Sequence, residues 1–203
     1  MTGAPLSRAK GAIVTIHGRG ATATGILDFA DALAQPDIAF LAPQAATGSW
    51  YPNSFLAPFE ANQPHLDRAL ATVRELLDAL EEMGFSPVET GLMGFSQGAC
   101  LALESAARRP RRYGAVLGFA GGLIGPPGTP RNYAGALDGA PVLLACSDID
   151  PHIPLERVEE SAAVFTALGA DVTKRIHPGF GHGIHPDGVV EARRILVAMQ
   201  RLD

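Results

Sequence analysis

Lysine is nearly missing from this sequence, with two residues against 14 arginines in a chain of 203. The skew is read as an effect of genome composition without functional content. Cysteine is as scarce. Cys100 and Cys146 both sit inside apolar runs, as buried reduced thiols do, and no disulfide is expected. Charged residues make up 18% and the net charge is −5, a balance that argues against nucleic acid as the main partner. No apolar run approaches the roughly 20 residues that cross a bilayer, and Met1–Lys10 lacks the basic-then-apolar layout of a signal peptide. The expected location is therefore the cytoplasm, with no membrane partner. What the chain does have is 47% hydrophobic residues, enough at this length to bury a core without disulfides or metal.

Short apolar runs alternate with longer amphipathic ones, the pattern of a mostly parallel sheet with helices on both faces. Strands are expected at Ala12–His17, Ile38–Ala42, Thr90–Phe95, Ala115–Ala120, Pro141–Cys146 and Asp171–His177. Helices are expected near Gly25–Ala34, Asn62–Met83, Gln97–Arg109, Leu155–Leu168 and Asp187–Arg201. In the second helix Leu66, Leu70, Val73, Leu77 and Leu80 form one apolar stripe. Two segments fit neither pattern: the aromatic loop Pro43–Ala61 and the Gly/Pro-rich excursion Gly121–Gly139. No linker or repeat divides the chain, so 1–203 is expected to be one domain. Arg108-Arg109-Pro110-Arg111-Arg112 reads as a solvated helix end, where cations complement the helix dipole and proline ends the helix.

The strongest local signal is Gly94-Phe95-Ser96-Gln97-Gly98. An apolar strand runs into it and a helix leaves it, the setting of a nucleophile elbow. Strand and helix nearly touch at such a turn, so the glycine positions on either side of it, Gly94 and Gly98, cannot carry a β-carbon, and the serine backbone is strained. A serine hydroxyl attacks only when a base takes its proton, and the base needs a carboxylate to fix its tautomer. Where a sheet carries such an elbow, the chain order is Ser, then Asp or Glu, then His, on loops after later strands.

Both loops are present. After Pro141–Cys146 comes Ser147-Asp148-Ile149-Asp150-Pro151, and after Asp171–His177 comes Pro178-Gly179-Phe180-Gly181-His182-Gly183. Spacing does not separate Asp148 from Asp150. Among the histidines, His182 stands between glycines on backbone free to bring its ring inward. His177 belongs to the strand and His185 precedes Pro186 at the entry of the last helix. Gln97, at the start of the helix after the elbow, supplies one backbone N–H for an oxyanion, and the loop His17-Gly18-Arg19-Gly20 is placed to supply another. His17 reads as a structural histidine of that loop. The histidine spacing matches no helical ligand pair and no HExxH motif occurs, so neither a metal nor any other cofactor is expected.

In this ordered set the chain resembles the phospholipase/carboxylesterase family of α/β-hydrolases, which includes the acyl-protein thioesterases. The resemblance runs from Ile13 to Leu196 and rests on His17-Gly18, Ser49-Trp50-Tyr51, the GFSQG elbow, Asp150-Pro151 to Pro154, and Gly181-His182. It implies an α/β-hydrolase fold with a mostly parallel sheet of about six or seven strands, helices on both faces and no lid domain. It also implies Asp150 as the catalytic acid beside Ser96 and His182, and the N–H groups of Arg19 and Gln97 as the oxyanion hole. Two departures stand out. Cys146-Ser147 replaces the HG pair that usually precedes the acid loop, and Arg19 replaces an apolar residue.

The expected activity is that of a serine carboxylesterase acting on a small-molecule ester, with Trp50, Tyr51 and Phe55 lining the substrate pocket and both irregular segments forming its walls. Thioester hydrolysis is the rival within the same machinery. A catalytically inactive binding protein on a hydrolase scaffold is the rival of a different class. The oligomeric state is left open, a homodimer included.

Overall fold

The central apolar runs become strands because they are covered on both faces. In the computed structural model, which describes residues 1–200, every residue of β2 (Gly11–Ile16) and β5 (Ala115–Phe119) is buried. With β1 (Thr2–Gly3), β3 (Ile38–Leu41), β4 (Thr90–Phe95), β6 (Pro141–Ser147) and β7 (Asp171–His177), they form one seven-stranded sheet in the order β1-β3-β2-β4-β5-β6-β7. All neighbours are parallel except β1 and β3, which pair antiparallel at the edge. The two-residue β1 was not expected from the sequence, because it carries no apolar run and is defined by its pairing to Ala39 and Phe40.

Helices α1 (Ala23–Ala32) and α5 (Pro186–Met199) cover one face, where Ala30, Leu33, Met93, Leu117, Ile195 and Leu196 meet. On the other face lie α2 (His65–Glu82), α3 (Gln97–Arg108) and α4 (Leu155–Ala167). The stripe of α2 buries Leu66, Ala69, Val73, Leu77 and Leu80, with Leu70 half-buried beside it. Each fully buried leucine contributes about 1.5–3 kcal/mol. α2 starts at His65 rather than at the expected Asn62, because Phe59–Asn62 forms a separate 3₁₀ turn and Pro64 caps the helix. α5 begins as its sequence suggests, with Pro186 in the first turn and the His185 side chain accepting from Asp187 N at 3.1 Å. Residue 201 of the expected last helix lies outside the described residues. No helix among the described residues is long and apolar enough to cross a membrane.

The arginine run after α3 is more tightly held than a solvated cap. Arg108 Nε pairs with Glu104 at 2.6 Å, Arg109 pairs with Asp78 and Glu81, and Arg111 pairs with Glu81. The Arg109 and Arg111 pairs clamp the end of α3 onto α2.

Residues 121–139 are held by a buried polar network. Arg157, 4% exposed, donates through Nη1 to Leu123 O at 2.7 Å and Gly125 O at 2.6 Å. Its Nε and that of Arg131 both reach Glu160, at 2.9 and 2.8 Å. Glu104, 1% exposed, accepts from Ile124 N and Tyr133 Oη at 3.1 Å each. Each buried charge thus has an opposite charge or a backbone partner, as burial demands.

Candidate active site

The site lies at the C-terminal ends of β4, β6 and β7, where a parallel α/β sheet gathers its functional loops. Ser96 occupies the turn between β4 and α3 at φ 54°, ψ −121°, the strain expected of an elbow. The glycines around it are obligatory. A β-carbon on Gly94 would stand 2.3 Å from Gly98 O, and one on Gly98 would stand 2.0 Å from Ile16 O. Ser96 N donates to Phe119 O at 2.9 Å, which fixes the turn against β5.

The two later loops bring their side chains to this serine. His182 Nε2 lies 3.0 Å from Ser96 Oγ, and His182 Nδ1 lies 2.7 Å from Asp150 Oδ2. The carboxylate can only accept, so Nδ1 carries the ring proton and the Nε2 lone pair faces the serine hydroxyl. Asp150 has no exposed side-chain surface. Its Oδ1 accepts from His152 N at 2.8 Å and Ile153 N at 3.0 Å, which orients the carboxylate.

The neighbouring Asp148 does other work. Its Oδ1 accepts from Gly179 N at 2.8 Å, and Ser147 Oγ accepts from Gly181 N at 3.0 Å. These bonds pin the histidine loop to the acid loop. Gly179 and Gly181 allow the bend, at φ +70° and +82°. Ser147, one of the two departures from the expected pattern, thus serves as a fastener. His177 and His185 stay outside the site and stack on each other at 4.0 Å.

The N–H groups of Arg19 and Gln97 have no protein acceptor among the described residues, and both residues line the cavity over Ser96. Gln97 N opens α3, at the positive end of its dipole. The loop that carries Arg19 is set by His17, whose buried Nε2 accepts from Ala45 N at 3.1 Å while Nδ1 donates to Gly18 O at 2.8 Å. That is the structural role expected of it.

The cavity measures about 480 Å³. Tyr51 and Phe55 line it together with Phe95, His152 and Ile153. Trp50 does not, contrary to expectation. Its ring packs at 5.1 Å from that of His17 and its Nε1 donates to His17 O at 2.9 Å, so it braces the loop from behind. The aromatic segment is fastened by the Gln97 side chain, which accepts from Trp50 N at 2.9 Å and donates to Tyr51 O at 2.8 Å. Residues 121–139 also fail to reach the cavity, contrary to expectation. Their part is a buttress: Gly125 N donates to Phe55 O at 2.8 Å from behind. Cys100 lines the cavity floor although it is almost fully buried.

A doubly covered parallel sheet with a strained serine at its elbow and an acid and a histidine on the following strand ends is the arrangement of an α/β-hydrolase. Residues 2–199 match the model of the phospholipase/carboxylesterase family, and the chain belongs to that family. The class is one of ester and thioester hydrolases. A solved phospholipase/carboxylesterase from Dyadobacter fermentans is similar at 41% identity and a TM-score of 0.93, covering 97% of this chain and 94% of that one. Acyl-protein thioesterase 1 of Eremothecium gossypii is 26% identical over 94% of this chain and 88% of its own length. That of Gibberella zeae is 28% identical over 57% of this chain, a match that spans half of the relative's length.

Proposed function

We propose that the chain is a serine carboxylesterase that hydrolyses small to medium acyl esters through an acyl-enzyme on Ser96. The observation that carries this reading is the unbroken path from Ser96 Oγ through His182 to the buried Asp150, at the floor of an open cavity. Ser96 Oγ attacks the ester carbonyl while His182 Nε2 takes its proton. Asp150 holds the ring in the required tautomer and stabilises the imidazolium. The N–H groups of Arg19 and Gln97 receive the oxyanion. His182 then returns the proton to the departing alcohol, and water repeats the sequence to release the acid.

Tyr51, Phe55, Phe95 and Ile153 supply the apolar wall. Each methylene buried against it contributes about 0.8 kcal/mol, so kcat/KM rises with acyl length until the wall ends and is highest at short to medium chains. Hydrolysis of thioesters is the second reading, favoured by the likeness to acyl-protein thioesterases over most of the chain. Turnover of matched oxygen and thiol esters separates the two. The proposal is tested by Ser96→Ala, which is expected to abolish ester hydrolysis and fluorophosphonate labelling together while the fold is kept. Labelling of another serine in the wild type rejects it.

A further inference from the structure

The cavity over Ser96 is one-sided in charge. Arg19 is the charged residue that lines it, and no aspartate or glutamate among the described residues does. Asp150 is covered behind His182, and Asp148 is bonded to the Gly179 backbone. Arg19 is an exposed cation that enters no ion pair among the described residues, whereas Arg108, Arg131 and Arg157 each face a glutamate.

The Arg19 guanidinium is nonetheless fixed in place. Nη1 donates to Ser49 Oγ at 3.1 Å and to Pro52 O at 2.8 Å, and Nη2 donates to Asn53 O at 2.6 Å. Three of its five N–H groups are thereby used. The remaining two, on Nε and Nη2, are left without a partner among the described residues, and the Nε–Nη2 side of a guanidinium can take two oxygens of a single carboxylate or phosphate. All three partners are neutral, so the charge is not cancelled. The side chain has also surrendered its rotamer freedom before any substrate arrives.

We propose that Arg19 is a specificity-determining residue that selects substrates carrying an anionic oxygen group, a carboxylate or a phosphate, beside the reacting carbonyl. This deepens the esterase reading above and rests on it. The backbone N–H of Arg19 is assigned to the oxyanion and its side chain to the remote anion. One residue therefore couples recognition of the charged end to placement of the carbonyl. A neutral ester leaves the remaining guanidinium N–H groups to water and gains nothing from them.

The test compares matched ester pairs on the purified protein. 4-Nitrophenyl hemisuccinate is set against its neutral succinamate counterpart, and 4-acetoxyphenyl phosphate against 4-methoxyphenyl acetate. The first pair places a carboxylate on the acyl side and the second a phosphate on the leaving group, so the pair that responds identifies the source of the anion. In at least one pair the anionic ester is expected to be preferred about tenfold or more in kcat/KM, the size of one charge-assisted bond, with the preference shrinking as salt is raised. Arg19→Met is expected to bring that ratio to about one or lower, and Arg19→Lys to keep part of it. Wild-type ratios at or below one in both pairs overturn the proposal. So does an Arg19→Met variant that slows both members of a pair equally, which would make Arg19 a strut of the 49–53 loop alone. Ratios of one with intact fluorophosphonate labelling count against Arg19 only, whereas loss of both turnover and labelling in the wild type rejects the esterase reading itself.

Discussion

Cys146 lies against Asp150, its Sγ 3.8 Å from the same carboxylate oxygen that faces His182 Nδ1. Burial first, and the Asp150 charge second, push this thiol up to about 12. Burial likewise pushes Cys100 up to about 12. Both sulfurs therefore stay protonated and unreactive near neutral pH, since the thiolate is the nucleophile. Iodoacetamide at pH 8 is expected to modify neither cysteine in the native protein and both in denaturant, as read by intact mass. Rapid native alkylation of Cys146 would contradict the packing described here.

The two aspartates of the acid loop differ in their contacts, Asp150 facing His182 and Asp148 the Gly179 backbone. Asp150→Asn keeps the shape but offers the wrong hydrogen-bonding group to His182 Nδ1, and kcat is expected to fall by about 10⁴, as in other triads. Asp148→Asn retains an acceptor for Gly179 N and is expected to change kcat less than about tenfold, within the loss of one neutral hydrogen bond. Steady-state kinetics on one chromogenic ester decides it, and the opposite ranking would assign the acid to Asp148.

Glycines in this chain differ sharply in what they tolerate. A β-carbon on Gly98 meets Ile16 O at 2.0 Å, and backbone there cannot retreat. Gly98→Ala is expected to lower stability by about 4 kcal/mol or more, or to prevent soluble expression. Gly128 sits at φ +80° in open space, so Gly128→Ala meets only the left-handed penalty of about 1–2 kcal/mol. Urea unfolding of the two variants gives the comparison.

His177 makes stability depend on pH. Its Nε2 is buried without a protein partner among the described residues. Burial, followed by the facing His185 and Arg175, holds its imidazole below the usual value against an opposing pull from Asp187. The folded chain thus binds this proton less readily than the unfolded one. The contribution is intact above the unfolded value of 6.5 and is lost as pH falls below it toward the folded value. Urea midpoints measured from pH 8 to pH 5 are expected to decline less in His177→Phe than in the wild type. Equal declines would remove His177 as the cause.

Much of this arrangement is legible in the sequence because it is local. Thr90–Phe95 and Asp171–His177 are strands with the bounds their residue patterns suggest, and the elbow declares itself through two glycines that no other residue can replace. Asp150 and Asp148 are alike in spacing, and only tertiary contacts distinguish them. The likeness to the family favoured Asp150, and it is Asp150 that meets His182. What was misread depends on partners far apart in the chain. Trp50 was expected in the cavity wall by its aromatic character, but its indole N–H is drawn to His17 O, 33 residues away. The excursion after β5 was expected at the site because it is irregular. Its hold by Glu104, Arg157 and Glu160 comes from two helices whose sequences mark those residues as ordinary surface charges. Arg19 did announce itself as a departure, yet its three neutral acceptors lie on a loop at least 30 residues away.

Ser96 and His182 are separated by 86 positions in the chain. During translation at about 5–20 residues per second, Ser96 is therefore synthesised roughly 4–17 s before His182 exists. On the proposed reading the hydroxyl is an ordinary alcohol through that interval, since no base takes its proton. On that reading reactivity is expected only when β7 has joined the sheet edge and carried its loop over the serine. A fluorophosphonate tag on Ser96 is then expected to count finished molecules.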